Sequence, residues 1–157
     1  MTFNFTLPLR AAQGLFVFID LVLMSYVAHW WSGAWHVYSP PEINFLIFCC
    51  AWTILALAYL IVAPARFPKA AHKFGILGAE FLTMIFWFAG FIALAAYLGD
   101  RWCIGTVCNC AKAGVAFAAF LWVLFAATFA MALLHVWKTR NTNDSRPDPK
   151  IEMHQGA

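Results

Sequence analysis

Four apolar blocks dominate this chain, each close to the roughly 20 residues that carry a helix across the hydrocarbon of a bilayer. They run from Ala11 to Trp31, Ile43 to Ala63, Gly75 to Leu98 and Ala113 to Trp137. Strands of a membrane barrel are about half as long and alternate in polarity, so the blocks read as helices. All seven prolines lie outside them, as expected where every backbone group needs a partner within its own segment. Pro40 and Pro41 precede the second block, Pro64 ends it, and Pro68 lies in the connection that follows. Composition agrees: 64% of the 157 residues are hydrophobic and 11% charged, against about 25% charged in a soluble domain. A water-soluble chain this short leaves too much of itself exposed to hide that apolar surface. The expected fold is an all-α membrane protein, an antiparallel bundle of four transmembrane helices.

Charge gives the bundle a direction. Arg10, the second connection (Arg66, Lys69, Lys73) and the tail (Lys138, Arg140, Arg146, Lys150) share one side, and only Arg101 and Lys112 fall on the other. The Lys/Arg excess marks the cytoplasmic face, so both termini are expected there. The basic residues form no stripe interleaved with exposed aromatics, and nucleic acid is not an expected partner. Residues 1–10 form the expected cytoplasmic amino-terminal segment, 11–138 the membrane domain and 139–157 a polar, disordered tail. No small-residue cleavage site follows a short apolar core, so no removed signal peptide is expected. Two sequons, at Asn4 and Asn143, fall on the cytoplasmic side and should carry no glycan. Trp30, Trp31, Trp35 and Tyr38 read as an interfacial belt at the outer end of the first helix.

Ionisable side chains inside lipid are costly and call for named partners. Asp20 lies about halfway along the first block, and Glu80 less than two turns inside the third. Asp20 reads as a protonated or hydrogen-bonded carboxyl that locks packing, with a proton or cation relay as the competing reading. Arg10, Gln13, Glu80 and His135 all fall toward the cytoplasmic ends of their helices, where a polar cluster is expected. Small residues, Gly75, Gly78, Ala79, Ala89, Gly90 and Ala93 in the third helix and Ala116, Ala119, Ala126, Ala127 and Ala130 in the fourth, predict close packing of these two helices. Phe81, Phe86, Trp87, Trp122 and Phe125 then face lipid, fill gaps or meet another protomer.

Cys49 and Cys50 lie inside the second block and read as small apolar side chains. Cys103, Cys108 and Cys110 lie in the outward connection, where a disulfide is expected, with Cys103 to Cys108 the first choice and Cys103 to Cys110 the alternative. Their spacing lacks the Cys-x-x-Cys arrangement of many thiol oxidoreductases. His29 and His36 have no third ligand for a metal, and no metal or catalytic residue is expected. The string from Arg10 to Leu21, centred on Phe16, fits a reversed cholesterol-contact pattern.

The stretch from Glu80 to Ala95, followed by the cysteine-bearing connection, resembles the third-helix region of fungal MARVEL-domain proteins. The opening Leu9-Arg10-Ala11-Ala12-Gln13 and the closing Leu133-Leu134-His135-Val136-Trp137-Lys138 resemble the same family, so the likeness covers about Leu7 to Arg140. It implies a membrane-organising protein of lateral domains or vesicle trafficking, without turnover, in the plasma membrane or secretory vesicles. Sterol, sphingolipid or phospholipid are the implied bound groups, and lipids, further copies of the chain and other membrane proteins the implied partners. The resemblance gives Arg10, Gln13 and Glu80 a structural role, supports the outer disulfide and supplies no catalytic residue. Arg66, Lys69, Lys73, Lys138 and Arg140 are the expected contacts to anionic headgroups. The competing function is a small ion channel or proton-coupled transporter using Asp20 and Glu80.

Overall fold

A computed structural model describes residues 6–35, 38–66, 73–100 and 104–138. They form α1 (Thr6–Trp35), α2 (Pro41–Arg66), α3 (Lys73–Gly99) and α4 (Thr106–Lys138). Every helix is long and apolar enough to cross a membrane.

Each helix outruns its apolar block. α1 starts at Thr6, so part of the segment expected to precede it is helical, and Pro8 sits in its first turn, where the missing N–H would have had no partner. Pro64 does not end α2, which continues to Arg66; within the last turn, a proline removes only one donor bond, to the residue four before it. α4 begins seven residues ahead of its block. Hydropathy detects the part of a helix that needs lipid, whereas the helix continues through the interface until a cap stops it.

Two caps are specific. Pro40 offers its carbonyl to the amides of Ile43 at 3.1 Å and Asn44 at 3.2 Å, while Asn44 Nδ2 donates to Ser39 O at 3.2 Å. Ahead of α4, Gly105 adopts φ +107° and its carbonyl accepts the Asn109 amide at 3.1 Å, a backbone conformation that side chains disfavour. Cys108 and Cys110 therefore stand in the first turns of α4 rather than in a connecting loop.

Neighbours in sequence are neighbours in space, and α4 closes on α1, so the helices form a ring of four. Helices on opposite corners do not pack. Ring contacts run antiparallel: Phe16 of α1 meets Phe117 and Phe120, α2 meets α3 through Phe45, Phe48 and Trp52 against Phe86, and α3 meets α4 through Phe81 to Phe129 and Phe88 to Trp122.

Buried positions recur at alternating spacings of three and four: 13, 17, 20, 24 and 27 in α1; 80, 83, 87, 90 and 94 in α3; 111, 114, 118, 121, 125 and 128 in α4. That spacing keeps one stripe of each helix facing its neighbours. The stripe holds Gln13, Asp20, Thr53, Glu80, Thr83 and Thr128, the buried polar side chains among the described residues. Outside lie apolar groups such as Phe18, Leu55, Phe74 and Phe88. Polarity is thus reversed relative to a soluble bundle, because the surrounding solvent is hydrocarbon.

α3 and α4 do make the most extensive contact of any pair, although not every small residue named for it turns inward. Ala89, Ala116, Ala127 and Ala130 face outward, and aromatic rings fill the seam. The close approaches serve other pairs: a Cβ on Gly90 would stand 2.7 Å from Leu46 Cδ2 of α2, and one on Gly114 would collide with Met24 of α1. Trp87 and Phe125 are fully buried, whereas Phe81 is 44% exposed. Trp30 and Tyr38 are exposed at the end of α1 and beyond it, while Trp31 packs partly against the core.

Candidate functional site

The α1, α3 and α4 stripes meet in a closed polar ring near the end of the bundle that carries the start of α1 and the end of α4. Arg10 forms an ion pair with Glu80, its Nη2 donating to Oε1, and its Nη1 donates to Gln13 Oε1 at 3.0 Å. Gln13 Nε2 donates to Thr128 Oγ1 at 3.3 Å, and the Thr128 hydroxyl donates to Glu80 Oε2 at 2.7 Å. Both carboxylate oxygens are thus engaged, and Arg10 reaches across the ring diagonal to a helix that α1 does not otherwise pack against. Glu80 and Gln13 are fully buried, and the Arg10 side chain is 11% exposed. A buried charge requires such a partner and satisfied lone pairs.

The sequence brings Arg10, Gln13 and Glu80 to this place, and the structure joins them. α4 contributes Thr128, which carries no charge to single it out; His135 lies seven residues further along α4 and is half-buried. In the pattern centred on Phe16, Arg10 is engaged with Glu80 and Phe16 packs against Phe117 and Phe120.

A second set of polar contacts locks α2 to α3 reciprocally. The Trp87 indole of α3 donates to Thr53 Oγ1 of α2 at 2.9 Å, and the Trp52 indole of α2 donates to Thr83 Oγ1 of α3 at 3.1 Å. Each threonine donates its own proton to the carbonyl four residues back, Cys49 O at 2.6 Å and Ala79 O at 2.7 Å. The hydroxyl oxygen is thereby left to accept the indole. None of these four residues was singled out as polar in the sequence. The signal available for Thr83 and Trp87 was their three-and-four spacing from Glu80 on α3.

Asp20 is fully buried nearer the middle of α1. Its Oδ2 accepts the Cys50 thiol at 3.8 Å, and its Oδ1 has no hydrogen-bond partner. Cys49 points instead to the Phe86 carbonyl, 3.7 Å away. Among the described residues no three His, Cys, Asp or Glu side chains gather around a common point. His29 is exposed, and His36 lies outside the described residues. Cys108 is buried and disulfide-bonded, Cys110 is a half-buried free thiol, and Cys103 lies outside the described residues. Of the basic set, Arg66 and Lys138 are exposed at the last residues of α2 and α4, and Lys73 opens α3. Lys69 and Arg140 lie outside the described residues.

The arrangement joins buried polar side chains of different helices to one another. Its chemistry is cohesion: polar groups hold the helices together from inside, and the outer surface is left apolar. A family model described as the MARVEL membrane-associating domain matches residues 3–131. No curated protein and no solved structure matches the chain.

Proposed function

The chain belongs to the MARVEL family of membrane-associating domains, and from that premise we propose that it is a non-catalytic scaffold that gathers lipids and further copies of itself into lateral membrane domains or trafficking vesicles. The observation that carries the reading is the inward closure of the polar groups. With Arg10, Gln13, Glu80 and Thr128 paired to one another, the periphery is free to be apolar, and it is studded with exposed rings such as Phe18, Phe48 and Phe88. Without a hydrophobic drive inside lipid, such a surface selects neighbours through shape and van der Waals packing. Arg66, Lys73 and Lys138 at helix ends, with Lys69 and Arg140 in the flanking segments, add attraction for anionic headgroups on the cytoplasmic side. The plasma membrane is the location that fits this role.

The test is to extract the full chain with its native lipid shell and measure lipid composition and oligomeric state together. Enrichment of sterol, sphingolipid or anionic phospholipid over the bulk membrane, in particles holding more than one copy, is the expected result. A monomer with a bulk-like lipid shell sinks the proposal. The transport reading keeps one observation in its favour, the unpartnered Oδ1 of Asp20. Against it, Glu80 is engaged by Arg10 and Thr128. Absence of proton or cation flux through reconstituted unaltered protein removes that reading.

A further inference from the structure

The outer face of α1 differs from those of the other three helices. Ser25, Tyr26 and His29 are exposed on it, and none of their side chains has a hydrogen-bond partner among the described residues. In the apolar blocks of α2, α3 and α4 the described residues expose no hydroxyl or imidazole, so hydrocarbon suffices as their neighbour. It offers nothing to the three groups on α1. Depth limits what does. Ser25 lies six residues inside Trp31, where the first apolar block ends, which at the helical rise is about 9 Å below the boundary of the hydrocarbon. Lipid hydroxyls, amides and esters sit at that boundary, so at the level of Ser25 a lipid presents only acyl chain. A second protein brings a polar group to that level.

We propose that two copies of the chain associate side by side through this face, around Ser25. The inference rests on the scaffold reading and names the surface on which copies meet. Copies of one chain share their orientation in the membrane, so a two-fold axis along the bilayer normal sets each residue against itself at the same depth. Ser25 then meets Ser25 of the second copy, and each hydroxyl both donates and accepts. Phe18, Val22, Ser25 and His29 are exposed at spacings of four, three and four, the repeat of a left-handed helix pair, and the small Ser25 among them lets the backbones approach. Tyr26 and His29, about one turn apart beside this seam, supply a phenol donor and an imidazole acceptor to bond across it. The set holds donors and acceptors together, so it is complementary to itself.

The test is cysteine crosslinking of the full chain in native membranes, in a Cys110→Ser background that removes the half-buried free thiol. Val22→Cys, Ser25→Cys and His29→Cys are oxidised one at a time with a membrane-permeant catalyst. Leu55→Cys and Val123→Cys, exposed on α2 and α4, are the controls. The three α1 positions are expected to give covalent dimer at several times the yield of the controls. In the uncrosslinked protein, Ser25→Leu combined with Tyr26→Phe should lower energy transfer between labelled copies severalfold, with helicity by circular dichroism kept. Copies that associate but crosslink no better from α1 than from α2 or α4 overturn this surface and leave the scaffold reading standing. Absence of energy transfer between unaltered copies overturns both. If the double variant loses a co-purifying lipid while energy transfer is unchanged, the face serves lipid and the proposal is overturned.

Discussion

Glu80 is fully buried and still accepts from two side chains, the Arg10 guanidinium and the Thr128 hydroxyl. Removing one partner of a buried ion pair costs about 3–5 kcal/mol because the other charge is stranded, whereas replacing both by apolar groups is often neutral. Glu80→Gln should therefore lower the unfolding free energy in micelles by about 3 kcal/mol, while the double change Arg10→Met with Glu80→Leu should lie much nearer the unaltered protein. If the double variant is the weaker of the two, the ring is worth more as a network than the desolvation of its charges. Thr128→Val tests the hydroxyl alone. It removes the donor to Glu80 and the acceptor for Gln13, and membrane interhelical bonds are worth roughly 0.6 kcal/mol each, up to about 1.7, so a loss of about 1–2 kcal/mol is expected in the same assay. Glu80 was legible in the sequence because an ionisable group within an apolar block demands a partner, and Arg10 because it stands at the same end of the bundle, at the edge of the first block. Thr128 was not, since a threonine can satisfy itself on its own helix; here the Phe125 carbonyl, 3.1 Å away, is the alternative acceptor for the proton that goes to Glu80.

Between elements, the same economy of polar atoms joins α2 to α3. Thr53 and Thr83 each turn a proton inward and an oxygen toward an indole of the other helix. Thr53→Val should cost roughly 1 kcal/mol and change the fluorescence of Trp87; an unchanged emission spectrum would show that the indole has no dependence on the hydroxyl. Glycine positions give a sharper contrast. A Cβ on Gly78 meets nothing within 4 Å, whereas one on Gly90 meets Leu46. Gly78→Ala should be tolerated and Gly90→Val should destabilise by about 1–3 kcal/mol through overpacking, read from thermal unfolding of the two variants. The number of helices and their type followed from apolar length, but which helix each glycine would approach did not. That depends on how each helix is rotated about its axis, a consequence of all four stripes meeting at once. The three-and-four spacing that links Gln13 to Asp20 and Glu80 to Thr83 and Trp87 was present in the chain as a pattern of polar and bulky residues. Apolar content alone conceals it, because the residues between them are equally apolar and face lipid.

At the scale of the whole molecule, the polar ring, the start of α1 and the basic ends of α2 and α4 all lie toward one end of the bundle. Arg66 and Lys138 there complement the negative ends of their helix dipoles, and from the Lys/Arg bias we propose that this end faces the cytoplasm. A bundle of the opposite orientation would place this end where glycosylation occurs, so the sequons at Asn4 and Asn143 report orientation directly. Expressed in a glycosylating cell, the protein should show no change in mobility on glycosidase treatment; a shift would reverse the assigned direction. The same end carries the proposed electrostatic contact with lipid. Changing both Arg66 and Lys138 to Gln leaves the apolar periphery and the Arg10 ring untouched, so the fold should persist while co-purifying anionic phospholipid falls severalfold. The loss should be reproduced in the unaltered protein by raising ionic strength, since attraction at an exposed surface is screened within a Debye length of about 8 Å in physiological salt. If anionic lipid survives both treatments, the helices are holding it through their apolar faces, and headgroup charge is not what selects it.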